Sequence, residues 1–221
     1  HIFGVQGARL LHTGGIFAGL SATAPDVMEA AMLSARKHGT IISYDLNFRP
    51  SLWDGLGGKA TAQKVNKKLA SLVDVMIGNE EDFTESLGFE VKGLDSNYSN
   101  LSTAPFREMV EKVAAAYPNL QVIATTLRGV KSASRNDWAA IAWSREEGFA
   151  ESTQRKDLEI FDRVGGGDSF ASGLAYGLME IGSIAESVEY GAAHGALAMS
   201  TPGDTSMATL AEVKKLAGGG S

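Results

Sequence analysis

The feature that most limits what this chain can fold into is an alternation of short apolar runs with helical runs. Arg9 to Thr13 (RLLHT) reads as a buried strand that ends in a turn at Gly14-Gly15. Pro25 and Gly39 then bracket Asp26 to His38 as a helix. Thr40 to Phe48 (TIISYDLNF) is β-rich, with Asp45 and Asn47 at its far end. A helical run over about Lys59 to Leu72 leads into a third strand, Val73 to Ile77, closed by Gly78-Asn79. Residues 88–104 are polar, rich in Ser, Asn and Gly and without a period, which predicts a surface excursion. Phe106 to Tyr117 places Phe106, Met109, Val110 and Val113 on one helical face, and Leu120 to Leu127 is a fourth buried strand. Trp138 to Trp143 and Phe149 to Ser152 read as an antiparallel hairpin across Arg145 to Gly148. Glu159 to Phe161 is a last short strand, and helices over about Ser169–Ile181, Ile184–Met199 and Ala208–Leu216 complete the chain. The alternation predicts an α/β fold: a mainly parallel central sheet with helices on both faces and an antiparallel hairpin near one edge. Ligands of such sheets gather beyond the carboxyl ends of the strands. Those ends carry Asp45, Asn47, Arg49, Asn79, Arg128 and the turn from Gly165 to Asp168.

Composition narrows the function classes. At 221 residues, 44% hydrophobic and 21% charged, the chain suits one large domain with a full core. A formal net charge of −6 with no compensating basic face argues against nucleic acid as a partner. With no cysteine, disulfides and thiolate metal sites are excluded, and a reducing cytoplasm is compatible. No apolar run reaches the length of a membrane span and no signal peptide opens the chain, so a soluble, cytoplasmic protein is expected. The chain opens at His1 and closes on Gly218-Gly219-Gly220-Ser221, and a segment of something longer is expected.

The most informative stretch is Asp162 to Gly173, DRVGGGDSFASG. Gly165, Gly166 and Gly167 let main-chain amides approach a bound group, and a helix starting near Ser169 adds unpaired N–H groups and a favourable dipole. An anion such as phosphate suits that turn. Asp168 beside it needs a purpose, and accepting a proton from a hydroxyl that attacks phosphorus is one. A tight turn with an Asp cap is the plainer alternative. Other chemistries lack their patterns: no G-x-x-x-x-G-K-S/T, no G-x-G-x-x-G opening a helix, no G-x-S-x-G, and no metal-ligand spacing among His1, His12, His38 and His194. Glu80, Glu81 and Asp82 read as the acidic first turn of a helix rather than as metal ligands.

DRVGGGDSFASG closely resembles the C-terminal signature of the ribokinase-like (PfkB) sugar kinases. Further resemblances follow in that family's order: YDLNFRPSLW at Tyr44 to Trp53, GNEEDF at Gly78 to Phe83, TTLRG at Thr125 to Gly129 and TPGD at Thr201 to Asp204. They cover nearly the whole chain from Arg9, and within the family they look most like the kinases of 2-keto-3-deoxygluconate. The resemblance implies a ribokinase-like three-layer sandwich and ATP-dependent phosphorylation of a sugar-acid hydroxyl. It makes Asp168 the base and the Gly165, Gly166 and Gly167 amides the cradle of the transferring phosphate. Arg49, within D-x-N-x-R, would meet the substrate carboxylate, with Asn47 and Asp204 also on the sugar. Asn79 and Arg128 would line the phosphate and ribose side of the nucleotide, and Ala192 to Met199 the adenine.

It further implies ATP and Mg²⁺ as cofactors, with a monovalent cation near Asp162 as an option, and a homo-oligomer as an option for the full-length protein. Three departures stand out. Asp82 occupies the Glu position of the family's N-x-x-E, Ala192 stands where many relatives carry Asn, and the family's N-terminal lid portion is missing. The expected unit is therefore a single nucleotide-binding core over 1–221 without its lid. A kinase of a neutral sugar such as fructose or ribose, and a non-catalytic binding core, remain the alternatives.

Overall fold

Residues 1–89 and 103–220 are described in the computed structural model; the polar excursion expected over 88–104 thus lies largely outside the described residues. The backbone gathers into two compact units, His1–Lys92 with Phe106–Ile123, and Gly93–Pro105 with Ala124–Ser221.

In the first unit β1 (Leu10–Gly14) runs into a one-turn helix, α1 (Gly15–Ala18), and then α2 (Ala24–Lys37). Pro25 stands in the first turn of α2, where a missing N–H costs nothing, and Met28, Met32 and Ala35 recur at helical spacing as its buried stripe. β2 (Ile41–Asp45) follows, then α3 (Pro50–Trp53), α4 (Gly58–Ala70), β3 (Val75–Gly78) and the short α5 (Glu80–Asp82). β1 pairs with β2 and β2 with β3, both in parallel, so the predicted crossover topology holds. Among the described residues β1 has β2 as its one strand neighbour and is half-exposed, with His12 exposed, which corrects the expectation of a buried strand.

Two polar devices fix the register of this unit. Asp74 accepts the Ile42 N–H through Oδ2 (2.8 Å) while its own N–H donates to the Ile42 carbonyl (2.9 Å), latching the entry of β3 onto β2. The buried Tyr44 hydroxyl donates to Asn66 Oδ1 on α4 (2.6 Å), and Asn66 Nδ2 donates to the Ala62 carbonyl. Burial, with the neighbouring Asp45 charge, holds the Tyr44 phenol well above its ordinary value, so it stays a neutral donor. α6 (Ala104–Ala116) buries Phe106, Met109, Val110 and Val113 as its periodicity predicts, each contributing about 1.5–3 kcal/mol.

β4 (Val122–Val130) leads into the second unit, with β5 (Arg135–Ser144), β6 (Gly148–Glu151) and β7 (Arg155–Glu159). β5 pairs antiparallel with β6, the predicted hairpin, and antiparallel with β7 as well. The last strand thus ends at Glu159, and Phe161, expected within it, instead joins Asp162 in donating its N–H to the Met199 carbonyl. That carbonyl lies at the end of α8 (Ile184–Met199), which follows α7 (Gly166–Glu180) and precedes α9 (Leu210–Ala217). α9 opens with a capping box between Thr209 and Glu212.

α7 and α8 lie close enough that glycine is required between them. A Cβ at Gly177 would sit 2.5 Å from Ser187 Cα, and one at Gly173 would sit 2.6 Å from the Tyr190 carbonyl oxygen. From the other side, Gly191 presses on Phe170 and Gly195 on the Trp138 ring. Gly177→Ala improves intrinsic helix propensity by about 1 kcal/mol, yet overpacking here costs about 1–3 kcal/mol or more. Denaturant unfolding of Gly177→Ala should accordingly show a lowered midpoint; a raised one would mean that the helices separate freely.

Candidate functional site

The turn expected to hold an anion is built entirely within the second unit. α7 starts at Gly166, earlier than the predicted Ser169, so Gly166 and Gly167 are already helical and Asp168 is the third helical residue. Gly165 is the N-cap, with φ 81° in the left-handed region. Glycine is demanded there twice over, because a Cβ would also collide with the Asp204 carbonyl oxygen. Gly166 is buried against Met199, whereas a Cβ at Gly167 would meet nothing within 4 Å. No side chain caps the helix, so its first N–H groups have no side-chain partner, and the Asp168 carboxylate in this first turn is exposed. The plainer reading of Asp168 as a cap therefore does not describe it. Upstream, Asp162 Oδ1 accepts the Val164 N–H (2.9 Å), and Arg163 Nη2 donates to the Ser132 and Ala133 carbonyls, which ties the turn to the β4–β5 connection.

The other expected residues of this unit are placed as follows. Asp204 is exposed, its main chain lies against Gly165, and its Oδ1 accepts from the Thr205 hydroxyl (3.2 Å). Arg128 is exposed on β4. Ala192 is wholly buried in α8, and its carbonyl accepts the Trp138 indole N–H (2.9 Å).

In the first unit a second set of polar groups forms around the chain that leaves β2. Asn47 adopts φ 33°, a left-handed bend that Asn tolerates, and the buried Phe48 and exposed Arg49 follow. Arg49 Nη1 donates to the Phe48 carbonyl (2.8 Å). Asn79 ends β3 and caps α5: its Oδ1 accepts the Asp82 N–H, and Asp82 Oδ2 accepts the Asn79 N–H, each at 2.9 Å. The acidic run at Glu80 to Asp82 is thus the predicted helix turn. Asp82 does more than cap, because its Oδ1 accepts the Phe48 N–H (2.7 Å). Burial raises the Asp82 carboxyl above its ordinary value, opposed by those two N–H groups and by the Arg49 charge.

Sequence reasoning missed three contributors in this unit. Asp82 was read as part of an acidic run and as the residue in the Glu position of N-x-x-E, but not as an acceptor for the Phe48 N–H. Gly14 and Gly15 were read only as a turn, yet a Cβ on either would strike the Asp45 or Leu46 carbonyl oxygen beneath the bend. The available signal was a glycine pair directly after an apolar strand.

With this geometry in hand, the comparisons with known proteins are specific. The model of the pfkB family of carbohydrate kinases matches residues 5–210. A 2-dehydro-3-deoxygluconokinase of Bacillus subtilis (strain 168) is 30% identical over 199 residues, which span 90% of this chain and 53% of that protein. A 5-dehydro-2-deoxygluconokinase of Geobacillus kaustophilus (strain HTA426) is 28% identical over 82% of this chain and 47% of its own length. The crystal structure of 2-dehydro-3-deoxygluconokinase from Thermotoga maritima superposes with a TM-score of 0.87 and 34% identity, covering 97% of this chain and 62% of that one. The chain thus spans about half the length of the curated relatives it matches. The likeness shows the ribokinase-like α/β fold, with parallel and antiparallel strand pairs together. Among the described residues no helix is long and apolar enough to cross a membrane.

His194 of α8 gives the site a pH signature. Its Nε2 shares a hydrogen bond with the Ser206 hydroxyl (2.9 Å), and its ring also bonds the Ser169 main chain at the start of α7. Partial burial holds its pKa below the ordinary 6.5, an effect the Ser169 bond offsets in part. A depressed folded value means that this group's contribution to stability is present above about 6.5 and is lost as pH falls through the folded value. Thermal melts between pH 7.5 and 5 should therefore lose less stability in His194→Gln than in the parent; parallel curves would show that His194 does not titrate on unfolding.

Proposed function

The chain belongs to the pfkB family of carbohydrate kinases, and from that membership we propose that the protein transfers the terminal phosphoryl group of ATP to the C6 hydroxyl of a keto-deoxy sugar acid, first of all 2-keto-3-deoxygluconate (2-dehydro-3-deoxygluconate). The observation that carries this reading is the uncapped N-terminus of α7 with the exposed Asp168 carboxylate in its first turn. Asp168 takes the hydroxyl proton as the C6 oxygen forms its bond to the γ-phosphorus. The bond from that phosphorus to the β–γ bridging oxygen breaks, and ADP leaves with the electron pair. The main-chain N–H groups at the start of α7, in the turn that Gly165, Gly166 and Gly167 form, stabilise the charge on the equatorial oxygens during transfer.

Arg49 recognises the carboxylate of the substrate, a fork-to-carboxylate task that guanidinium performs and ammonium does not. Asn47 and Asp204 bond the sugar, and Asn79 and Arg128 the nucleotide. Ala192 belongs to the helix behind the adenine. Kinases of this family take ATP. Mg²⁺ supplies charge neutralisation on the β- and γ-phosphates when bound. Among the described residues no cluster of His, Cys, Asp or Glu forms a metal cage, and the Asp82 oxygens accept the Phe48 and Asn79 N–H groups. That donor set fits a cation carried on phosphate oxygens and water. The names of the relatives support the sugar-acid class, since those of both Bacillus subtilis and Thermotoga maritima are kinases of 2-dehydro-3-deoxygluconate.

An ADP-release assay on the full-length protein with Mg-ATP, comparing 2-keto-3-deoxygluconate, 5-keto-2-deoxygluconate, fructose and ribose, tests the proposal. Selective turnover of a keto-deoxy sugar acid is expected, and equal or better turnover of the neutral sugars would overturn it. Asp168→Asn should lower kcat by about 10²–10⁴-fold with ATP binding retained. Turnover close to that of the parent would remove Asp168 from the chemistry. Arg49→Ala should reduce kcat/KM for the sugar acid by about 10- to 100-fold, as loss of a charge-assisted contact of about 1.5–3 kcal/mol requires, and leave a neutral sugar nearly untouched.

A further inference from the structure

We propose that Asp82 is a positioning residue for the sugar, a two-point clamp that holds the substrate-side bend of β2 onto the Asn79 end of β3, rather than a metal ligand. The inference rests on the sugar-acid kinase reading for its kinetic consequences but on the first unit alone for its geometry. Asp82 is only 6% exposed, and each of its oxygens has a main-chain partner: Oδ1 accepts the Phe48 N–H at 2.7 Å and Oδ2 the Asn79 N–H at 2.9 Å. A carboxylate buried in this way is justified by those partners, and turning Oδ1 towards a cation would orphan the buried Phe48 N–H.

The Phe48 peptide is gripped at both ends, because its carbonyl accepts from Arg49 Nη1 at 2.8 Å. Both grips act on Phe48, directly before Arg49, so they set where the Arg49 guanidinium starts from. The chain here needs such a restraint. Asn47, one residue earlier, is in the left-handed region at φ 33°, a conformation that non-glycine residues rarely keep without outside support. Leu46 is fixed through its N–H to the Ile77 carbonyl (2.9 Å), whereas the next tie along the bend is the Phe48 N–H to Asp82. The two anchorages are also unequal. Asn79 keeps a second leg, its Oδ1 to the Asp82 N–H, which does not involve the Asp82 side chain at all. Loss of the carboxylate therefore frees the bend at Phe48 more than the end of β3. Its cost falls on the sugar rather than on the nucleotide.

The test is Asp82→Asn in the full-length protein, an isostere that can accept at one oxygen but presents a donor to the other N–H. The expected result is a KM for the sugar acid raised about 10- to 100-fold, the range that a displaced binding group produces. KM for ATP and the Mg²⁺ concentration for half-maximal rate should stay unchanged, and Asp82→Glu, which keeps both acceptors, should recover part of the loss. A shifted Mg²⁺ requirement with an unchanged sugar KM would overturn the clamp in favour of metal ligation. If Asp82→Asn does not fold, Asp82→Glu is read by its Mg²⁺ requirement, where an unchanged one supports the clamp and a shifted one overturns it. Amide hydrogen exchange separates this inference from the choice of substrate. Even if no sugar acid is turned over by the parent protein, faster exchange at Phe48 in Asp82→Asn upholds the clamp, and unchanged protection there refutes it.

Discussion

The second unit depends on how closely two helices can approach. α7 and α8 meet through Gly173, Gly177 and Gly191, where any side chain would intrude on the opposing backbone or on Phe170. That approach brings Met199, the last residue of α8, beside Gly166 at the start of α7, and lets the Met199 carbonyl collect the N–H groups of Phe161 and Asp162. The Asp204 carbonyl lies where a side chain at Gly165 would have to go. The left-handed Gly165 is thus enclosed by main chain, and the N-terminus of α7 is presented without a cap. The Gly165 to Asp168 turn is a consequence of helix packing, and the glycines that look like loop residues are as much packing residues.

The first unit solves a different problem. A parallel strand must release its chain at the carboxyl end without losing control of its direction. Here the release runs over Gly14 and Gly15, bends at Asn47, and is held by Asp82 at Phe48. The buried carboxylate is tolerated because two main-chain donors and the Arg49 charge offset part of its desolvation, although burial still prevails and its pKa stays raised. One short helix cap therefore serves two strand ends at once. The same economy is visible at Asp74, whose side chain and main chain together tie the start of β3 to β2.

Much of this was legible beforehand. The α2 and α6 stripes, the parallel pairing of β1, β2 and β3 and the β5–β6 hairpin all follow from periodicity and turn chemistry, which are local properties. The turn at Gly165 to Asp168 was legible as a turn because glycine supplies the positive φ such a turn needs, as Gly165 does at 81°. Less was legible where a residue's partner is remote in sequence. The start of α7 lies at Gly166 because Met199 and the Asp204 carbonyl enclose the turn, contacts that no local window contains. β7 ends at Glu159 because Arg135 in β5 is its partner there, while Phe161 turns to Met199. β1 was expected to be buried from its apolar run, but exposure is set by neighbours, and among the described residues β2 is its one strand neighbour.

The sequence by itself determined the class of fold, the order of its elements and the residues able to take part in phosphoryl transfer, since side-chain period, glycine freedom and carboxylate chemistry are written residue by residue. The tertiary structure alone decided which carboxylate is which. Asp168 stands exposed at an uncapped helix start, whereas Asp82 is buried with main-chain N–H groups on both oxygens. Both are aspartates near the start of a helix, and only the groups that folding brings around each oxygen tell the two environments apart.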